Sequence, residues 1–491
     1  MAKQLSVLFV SSEVFPFSKE SELADVSFSL PLKLKEFGSD VRVMMPKYGH
    51  ISERRNKIHD INRLRDMPVP IGGTEDFATI KSSSIQNTRS KVQTYVTTND
   101  KYFNQLKGIY HDLNTGDEFE NNAERFIFFC RSVVETCIIL NWFPDIIHVN
   151  NWQSGLVAAF AKTIYPSEFE KTKFIFTVHD FSDQGDFPWA SFKTTGIPEG
   201  ENKNFKHKNK FNFLKAGLIY SDVVTCLSEE TEKNILKNPD MSDGLNAIAK
   251  PLKENFVGIN TGIDKWMWNP VKDNYLEHKL TDDDFDAFKY DNKVELCNKF
   301  ELDFHPKRPI FGMFTKIIPD SGFDLLIGAA DEIFSHNLQI VILAQGHFDK
   351  IPKLEKLAEK YPDKLKIKYK FEESMQHLVT AGSDYFLMPE KYNASALNFQ
   401  YGCVFGTPPV VFVSGGISEI AEFWDGDEEG TSIEIKKYDK ESLSESVSKA
   451  VKIFEDPDSW RQIAKNGTYE EFAWAQNAKQ FEVIYRRVLN K

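Results

Sequence analysis

The sequence predicts an α/β protein that contains two doubly wound parallel sheets. Short apolar, β-branched runs alternate with helical patterns along most of its 491 residues. Continuous apolar runs of this kind are typical of strands that are buried on both faces, as in a parallel sheet covered by helices. The runs are also too numerous for one ordinary sheet, so we expect two sheets of about five to seven strands each.

The predicted strands fall into two sets, each too short to be helices and each flanked by helical stretches. The strands of the first set are 5–13, 40–46, 145–151, 173–180 and 222–228. The strands of the second set are 309–315, 338–346, 365–371, 384–390 and 408–416. In proteins of this class, ligands bind just beyond the carboxyl ends of the strands, so we look for chemistry there.

A polar stretch separates the two sets of strands, and we place a hinge near 255–265. Within it, the charged segment EHKLTDDDFDAFKYDNK (277–293) is typical of a surface insertion or linker. The chain ends in an amphipathic segment, about 470–489, that predicts a final helix.

Composition and charge exclude several classes of protein. Sixty Lys and Arg against 72 Asp and Glu give a net charge of −12, and no basic run suits nucleic acid. No apolar run approaches the ~18 residues of a membrane span, and the N-terminal segment turns polar too early for a secretory signal. The five scattered cysteines suggest reduced thiols and no zinc site, so we expect a cytoplasmic protein.

Two charged residues follow the first predicted strand. Glu13 closes that strand, and Lys19 lies in the loop before a helix that opens near Ser21. A cation beside a helix N-terminus suits a phosphate, because unpaired N–H groups and the helix dipole add to its charge. The alternative is a solvent-exposed loop lysine.

Two histidines end predicted strands of the first set. His148 and His179 lie where ligand-binding residues are expected, although structural histidines are equally compatible with these positions. Asn150, Asn151 and Trp152 add hydrogen-bonding groups and a flat apolar face, which together suit a sugar. No spacing of His, Asp or Glu predicts a metal site.

A glycine turn follows the last predicted strand. Ser414, Gly415 and Gly416 lie between that strand and a helical pattern, where backbone N–H groups can face an anion. A simple tight connection is the alternative. The segment MPEKYNASALNFQYGCVFGTPP (388–409) forms a second strand–loop–helix unit at the same edge.

Together these segments resemble the bacterial glycogen synthase and plant starch synthase family, which are retaining glucosyltransferases of the GT-B type. The similarity runs nearly end to end, and the order and spacing of several blocks carry it. The blocks are VLFVSSEVFPFSKESELADVSFSLPLKLKEFGSDVRVMMPKYG (7–49), DIIHVNNWQSGLVA (145–158), FTVHDFSDQGDFP (176–188), FNFLKAGLIYSDVVTCLS (211–228) and INTGIDKWMWNP (259–270).

The resemblance implies a GT-B fold of two Rossmann-like domains that face a deep cleft. It implies an acceptor-side domain over 1–258, a nucleotide-sugar-binding domain over 259–470, and a C-terminal helix, 471–491, that crosses back to the first domain. It implies no cofactor or metal, with ADP-glucose as the donor substrate and glycogen or a maltooligosaccharide as the acceptor. The oligomeric state stays open.

The family's site positions carry over residue by residue. His179 matches the histidine near the transferred sugar, Lys316 matches a cation beside the leaving diphosphate, and Asn393 matches a cleft glutamate. His148 matches another cleft position. The resemblance assigns these residues to the donor site: Glu13, Lys19, Ser414, Gly415 and Gly416.

Several residues depart from the family's pattern, and they cluster in the implied site. Ser21 and Glu22 replace two glycines, and Asn151 replaces an acidic residue. Lys316 replaces an arginine and Ser321 a lysine, which removes charge from the leaving-group clamp. The leading hypothesis is a glycogen synthase that transfers glucose from ADP-glucose with retention. The alternatives are a glucan-binding pseudoenzyme and a glycosyltransferase with another donor.

Overall fold

The computed structural model describes residues 3–113, 115–281, 284–317, 320–345, 351–370, 372–393, 395–426 and 429–490. The chain forms two compact units. Unit 1 consists of Met1–Thr261 and Trp474–Lys491, and unit 2 consists of Gly262–Ala473.

The strands of unit 1 form a large sheet and a small one. Its strands are β1 (Ser6–Val10), β2 (Asp40–Pro46), β3 (His59–Asp60), β4 (Met67–Ile71), β5 (Thr74–Gln86), β6 (Lys91–Thr98), β7 (Ile146–Asn150), β8 (Lys173–Val178), β9 (Asp186–Pro188), β10 (Lys206–His207), β11 (Lys210–Asn212), β12 (Val223–Cys226) and β13 (Phe256–Gly258). The large sheet has the order β13-β12-β8-β7-β1-β2-β6-β5-β3, and β4 pairs with β5. The first seven strands in this order, from β13 to β6, pair in parallel. Strand β5 pairs antiparallel with β6, β3 and β4.

Unit 2 contains one parallel sheet. Its strands are β14 (Ile310–Lys316), β15 (Gln339–Gln345), β16 (Leu365–Lys368), β17 (Tyr385–Met388), β18 (Pro409–Phe412) and β19 (Ile433–Ile435). Their order is β16-β15-β14-β17-β18-β19, which is the 3-2-1-4-5-6 order of a Rossmann fold. The order reverses between β14 and β17, where such folds bind their ligands.

The helices follow the strands in the alternation that the sequence predicts. They are α1 (Leu23–Glu36), α2 (Asn122–Leu140), α3 (Asn151–Ser154), α4 (Val157–Ile164), α5 (Asn202–Phe205), α6 (Phe213–Tyr220), α7 (Glu229–Lys237), α8 (Asn246–Ala249), α9 (Phe285–Phe300), α10 (Phe323–Ile333), α11 (Ile351–Lys360), α12 (Glu373–Gly382), α13 (Leu397–Val404), α14 (Lys440–Phe454), α15 (Pro457–Tyr469) and α16 (Ala475–Leu489). No helix in the described part of the chain is both long and apolar enough to cross a membrane.

The last helix, α16, completes the core of unit 1. Its apolar face is buried there, and the Tyr485 hydroxyl lies 2.6 Å from Nδ1 of His148 on β7. The ring of Phe481 packs on the same imidazole, with 5.4 Å between the centroids.

The second half of the charged segment 277–293 is part of a packed helix, so the prediction of a surface insertion is wrong there. Helix α9 runs through Phe285–Phe300 and packs on α12. The Lys289 ammonium is buried and donates to the carbonyl oxygens of Ala381 and Ser383 at the C-terminal end of α12. The high charge of this segment suggested a surface position. Lys289 is nevertheless buried, because its ammonium caps the C-terminal end of a helix, which is a favourable place for a cation.

An aromatic stack anchors the start of unit 2. Trp268 lies between His377 and Tyr401, with centroid distances of 3.9 and 3.6 Å and nearly parallel rings. Asp273 and His377 are both fully buried, and Asp273 Oδ2 lies 2.6 Å from His377 Nδ1. Burial alone lowers the pKa of His377, but the hydrogen bonds and charges of Asp273 and Glu373 outweigh it and raise the pKa.

We expect this buried pair to make the stability of unit 2 depend on pH. The pKa of His377 is higher in the folded chain than in the unfolded chain, so the protonated ring stabilises the fold. This stabilisation is complete below about pH 6.5, the ordinary histidine value, and is lost as pH rises through the pKa of the folded state. Urea unfolding of unit 2 at pH 6 and pH 9 should therefore show a smaller pH effect in His377→Gln than in the natural chain. An equal pH effect in both would contradict the prediction.

Candidate active site

The site in unit 1 is built at the carboxyl ends of three neighbouring strands. Strand β1 lies between β2 and β7, so the order of the sheet reverses beside it, and β8 follows β7. Glu13 follows β1, Asn150 ends β7, and His179 directly follows β8. Parallel strands bring these ends to one edge, as the sequence analysis expected.

Glu13 holds the loop that connects β1 to α1. Its Oε2 accepts hydrogen bonds from the backbone N–H groups of Glu20 and Ser21, at 2.6 and 2.7 Å. Its Oε1 accepts from the hydroxyls of Ser21 and Tyr110, at 2.9 and 2.8 Å. Glu13 is 1% exposed, and its carboxylate occupies the backbone N–H groups of the loop that an anionic ligand could otherwise bind.

We expect Glu13→Gln to destabilise unit 1 by about 1–3 kcal/mol, because a carboxamide has only one accepting oxygen for these donors. Urea unfolding measures the change. Glu229→Gln is the matched control, since the Glu229 side chain is 71% exposed and its loss should change the free energy of unfolding by less than about 0.5 kcal/mol. Equal stability of the two variants would show that Glu13 does not hold the loop.

Lys19 lies in this loop and forms an ion pair with α1. Its Nζ is 3.0 Å from Oδ2 of Asp25, and the two side chains are only 9% and 7% exposed. The alternative of a solvent-exposed lysine is therefore wrong. Contact of Lys19 with a donor phosphate stays a prediction.

His179 contacts Asn150, the last residue of β7, and Asn151, which follows it. Its ring Nε2 lies 3.1 Å from Oδ1 of Asn150, and its backbone N–H donates to Oδ1 of Asn151 at 2.7 Å. The side chain is 9% exposed, and burial lowers the pKa of the imidazole to about 3. His179 is therefore a neutral ring, suited to hydrogen bonding with a sugar rather than to holding a phosphate.

Trp152 and His148 lie in the core of unit 1. The rings of Phe126, Phe187 and Phe213 pack edge-on around Trp152, which is 5% exposed. The prediction that Trp152 offers a flat apolar face to a sugar is therefore wrong. His148 is fully buried between Tyr485 and Thr177, so it supports the site from beneath.

The corresponding region of unit 2 lies after β14, β17 and β18, which are adjacent in the sheet. Lys316 is the last residue of β14. The backbone N–H of Asn393, after β17, donates to the Ser414 hydroxyl at 2.9 Å, and Gly416 N–H donates to the Asn393 carbonyl at 3.2 Å. These bonds join the loop after β17 to the glycine turn after β18.

The glycine turn differs in detail from the sequence prediction. The predicted helical pattern after β18 forms a short 3-10 helix, Gly415–Glu419. Gly415 adopts a φ of +52°, in the left-handed region that glycine tolerates best. Gly416 N–H is bonded to the Asn393 carbonyl, so the position of the turn depends on the loop after β17. Binding of a diphosphate at the turn would therefore depend on the loops after both β17 and β18. Its binding here stays a prediction.

A second connection joins the loops after β14 and β17. Lys391 N–H donates to the Asp320 carbonyl at 2.9 Å, and its ammonium lies 3.6 Å from the Asp320 carboxylate. Gly322 has a φ of +83°, and a Cβ there would meet Pro389 at 2.5 Å, so the two loops need glycine at this contact. Ser321 beside it is only 2% exposed.

The sequence does not predict the contact of Tyr110 with Glu13 or that of Asn150 with His179. Tyr110 contacts the carboxylate of Glu13 from a segment without periodic pattern, 97 positions further along the chain. The one group of possible metal ligands within the described residues is Glu277, His278 and Glu295, and it contains no predicted site residue.

Comparison with known proteins agrees with this architecture. A family model described as the starch synthase catalytic domain matches residues 6–250, and one described as glycosyl transferases group 1 matches residues 297–467. The glycogen synthase of Chlorobaculum parvum is 32% identical, covering 99% of each chain, and that of Thermotoga maritima is 31% identical with the same coverage. The solved catalytic domain of starch synthase IV from Arabidopsis thaliana superposes with a TM-score of 0.90 at 21% identity, covering both chains fully.

The two Rossmann-like units and these matches define a glycosyltransferase with the GT-B fold. This confirms the predicted fold class and the predicted class of enzyme. Within that class, the chain belongs to the glycogen synthase and starch synthase family.

Proposed function

We propose that this protein transfers glucose from ADP-glucose to the non-reducing end of an α-1,4-glucan, with retention at the anomeric carbon. The observation that carries the proposal is the match to bacterial glycogen synthases over 99% of the chain. The starch synthase IV structure of the same fold was bound to ADP and acarbose, which favours an adenine nucleotide as the leaving group. Full-length likeness to named synthases also favours a transferase over a glucan-binding pseudoenzyme.

In this proposal the 4-hydroxyl of the acceptor attacks the anomeric carbon on the face from which ADP departs. The new glycosidic bond forms as the bond to the diphosphate breaks, and a phosphate oxygen takes the hydroxyl proton. The reaction then requires no protein nucleophile. It also requires no metal, because cationic side chains and backbone N–H groups can stabilise the diphosphate.

The proposed roles follow from family position and chemistry. His179 binds a hydroxyl of the transferred glucose as a neutral ring. Lys316 and the turn at Ser414–Gly416 bind the leaving diphosphate, and Asn393, whose carbonyl is bonded to that turn, orients it. Glu13 and Lys19 shape the loop on the side of unit 1.

The direct test is glucose transfer to maltotetraose, with ADP-glucose and UDP-glucose as alternative donors. We expect elongation with ADP-glucose, release of ADP, and new α-linkages in the NMR spectrum of the product. Elongation only with UDP-glucose would overturn the choice of donor. Calorimetric binding of maltotetraose without turnover of either donor would instead support a pseudoenzyme.

Lys316 offers a test of the leaving-group chemistry. We expect Lys316→Arg to raise the rate of glucose transfer by roughly tenfold, because a guanidinium binds phosphate oxygens through two parallel N–H groups. The measurement is ADP release at saturating glucan, with Lys437→Arg on the surface of unit 2 as the control. An unchanged rate would mean that Lys316 does not contact the diphosphate, and a lower rate would contradict the expected gain from a guanidinium.

A further inference from the structure

We propose that Asn150 is a positioning residue that determines which ring nitrogen of His179 carries the proton. It thereby presents the other nitrogen, Nδ1, as the acceptor for a hydroxyl of the sugar. The identity of the ligand rests on the proposed function, whereas the state of the ring is a property of this chain alone.

Two hydrogen bonds fix the orientation of the Asn150 side chain. Its Nδ2 donates to the carbonyl oxygen of Val10 at 3.0 Å, and its Oδ1 lies 3.1 Å from Nε2 of His179. A carbonyl oxygen only accepts hydrogen bonds, so the amide nitrogen must face Val10 and the amide oxygen must face the histidine. Asn150 is fully buried, and its own backbone N–H is bonded to Ser154, which keeps the residue in place.

The contact with Asn150 also fixes which nitrogen of the His179 ring carries the proton. Because the oxygen of Asn150 can only accept, Nε2 of His179 must donate and must therefore carry the proton. The ring is neutral, since burial lowers its pKa to about 3. In a neutral imidazole with a proton on Nε2, Nδ1 is a hydrogen-bond acceptor. No residue in the described part of the chain forms a hydrogen bond with Nδ1, so this acceptor is left for a ligand.

Two consecutive residues, Asn150 and Asn151, reach the same histidine because the chain turns at Asn151. Side chains of successive strand residues point to opposite faces, so Asn150 and Asn151 would diverge in a continued strand. Asn151 instead adopts a φ of +53°, a left-handed conformation that asparagine tolerates. The turn lets Asn150 bind the ring while Asn151 binds the backbone N–H of His179. The two contacts are thus separable by mutation.

The state of the ring can be measured without substrate. Long-range ¹H–¹⁵N NMR of protein labelled at histidine distinguishes the two neutral tautomers, and the spectrum of His179→Gln assigns the signal. We expect the Nε2–H tautomer in the natural chain and a mixture of tautomers in Asn150→Ala. Asn151→Gly is the matched control, because glycine tolerates the φ of +53° and the ring contact remains, so its tautomer should not change.

The NMR result decides the proposal even if a variant fails to fold. An Nδ1–H tautomer in the natural chain would overturn it, as would a folded Asn150→Ala variant with an unchanged tautomer. Kinetics then connect the ring to the reaction. We expect Asn150→Ala to lower kcat by roughly tenfold, which is the change in rate that corresponds to the net free energy of one hydrogen bond. The KM for the glucan should stay unchanged.

A double variant tests whether Asn150 acts through His179. If it does, adding Asn150→Ala to His179→Ala should cause no further loss of activity. Independent, multiplying losses would overturn the positioning role. If the natural chain transfers no glucose at all, the proposed function is wrong. The NMR measurement of the His179 tautomer still tests the role of Asn150, because it requires no substrate.

Discussion

His179→Ala should lower kcat/KM for glucose transfer by about 100-fold, the lower end of the range for losing one positioned hydrogen-bonding group in an active site. The reason is geometric. The ring is held at the carboxyl edge of unit 1 by Asn150, it is neutral, and its Nδ1 is available to a sugar hydroxyl. Initial rates of ADP release over a range of ADP-glucose concentrations measure the effect.

The control for this variant is His59→Ala. His59 lies exposed on β3, so its removal should leave the kinetics and the stability unchanged. Circular dichroism should show that both variants are folded. If folded His179→Ala retained full activity in a protein that transfers glucose, the histidine would have no contact with the reacting sugar.

Tyr485→Ala should destabilise unit 1 by about 3–5 kcal/mol, the cost of truncating a buried aromatic side chain. Tyr485 is fully buried, and its hydroxyl bonds to His148, which is itself fully buried. Tyr485→Phe separates the two contributions, since it keeps the ring and loses only the hydrogen bond. We expect it to cost about 1–3 kcal/mol, because a buried nitrogen of His148 is left without its partner.

Hydrogen exchange read by mass spectrometry on peptides that cover β7 and β8 would localise this loss to unit 1. Val483→Ala is the control on the same helix, because Val483 is 56% exposed and should contribute less than about 0.5 kcal/mol. Faster exchange confined to unit 2 peptides in Tyr485→Ala would contradict the assignment of α16 to the core of unit 1.

The fold class was predictable because parallel strands that are buried on both faces have a strong sequence pattern. Strands β7, β8 and β15 all lie within apolar runs identified from the sequence. Strand β19 was missed because it has only three residues, Ile433–Ile435. Strand β4, with the sequence MPVPI, was missed because its two prolines hide the alternation of buried and exposed residues.

The candidate site was predictable only in part, for a physical reason. Strand ends fix where Glu13 and His179 lie, so their positions followed from the pattern of apolar runs. The orientation of Asn150 depends on the carbonyl of Val10, 140 residues away in sequence. Local sequence carries no information about such a contact, and the tautomer of His179 therefore required coordinates.

The membership of α16 in unit 1 has a consequence for how the protein is made. A ribosome synthesises Met1–Thr261 before unit 2, yet the core of unit 1 lacks the buried side chains of Trp474–Lys491 until unit 2 has also been translated. Unit 2, Gly262–Ala473, is translated as one uninterrupted segment before the last helix. Since domains generally fold as units during synthesis, unit 1 is completed only after unit 2 has been synthesised. A premature stop codon near residue 474 would therefore damage the N-terminal half of the enzyme.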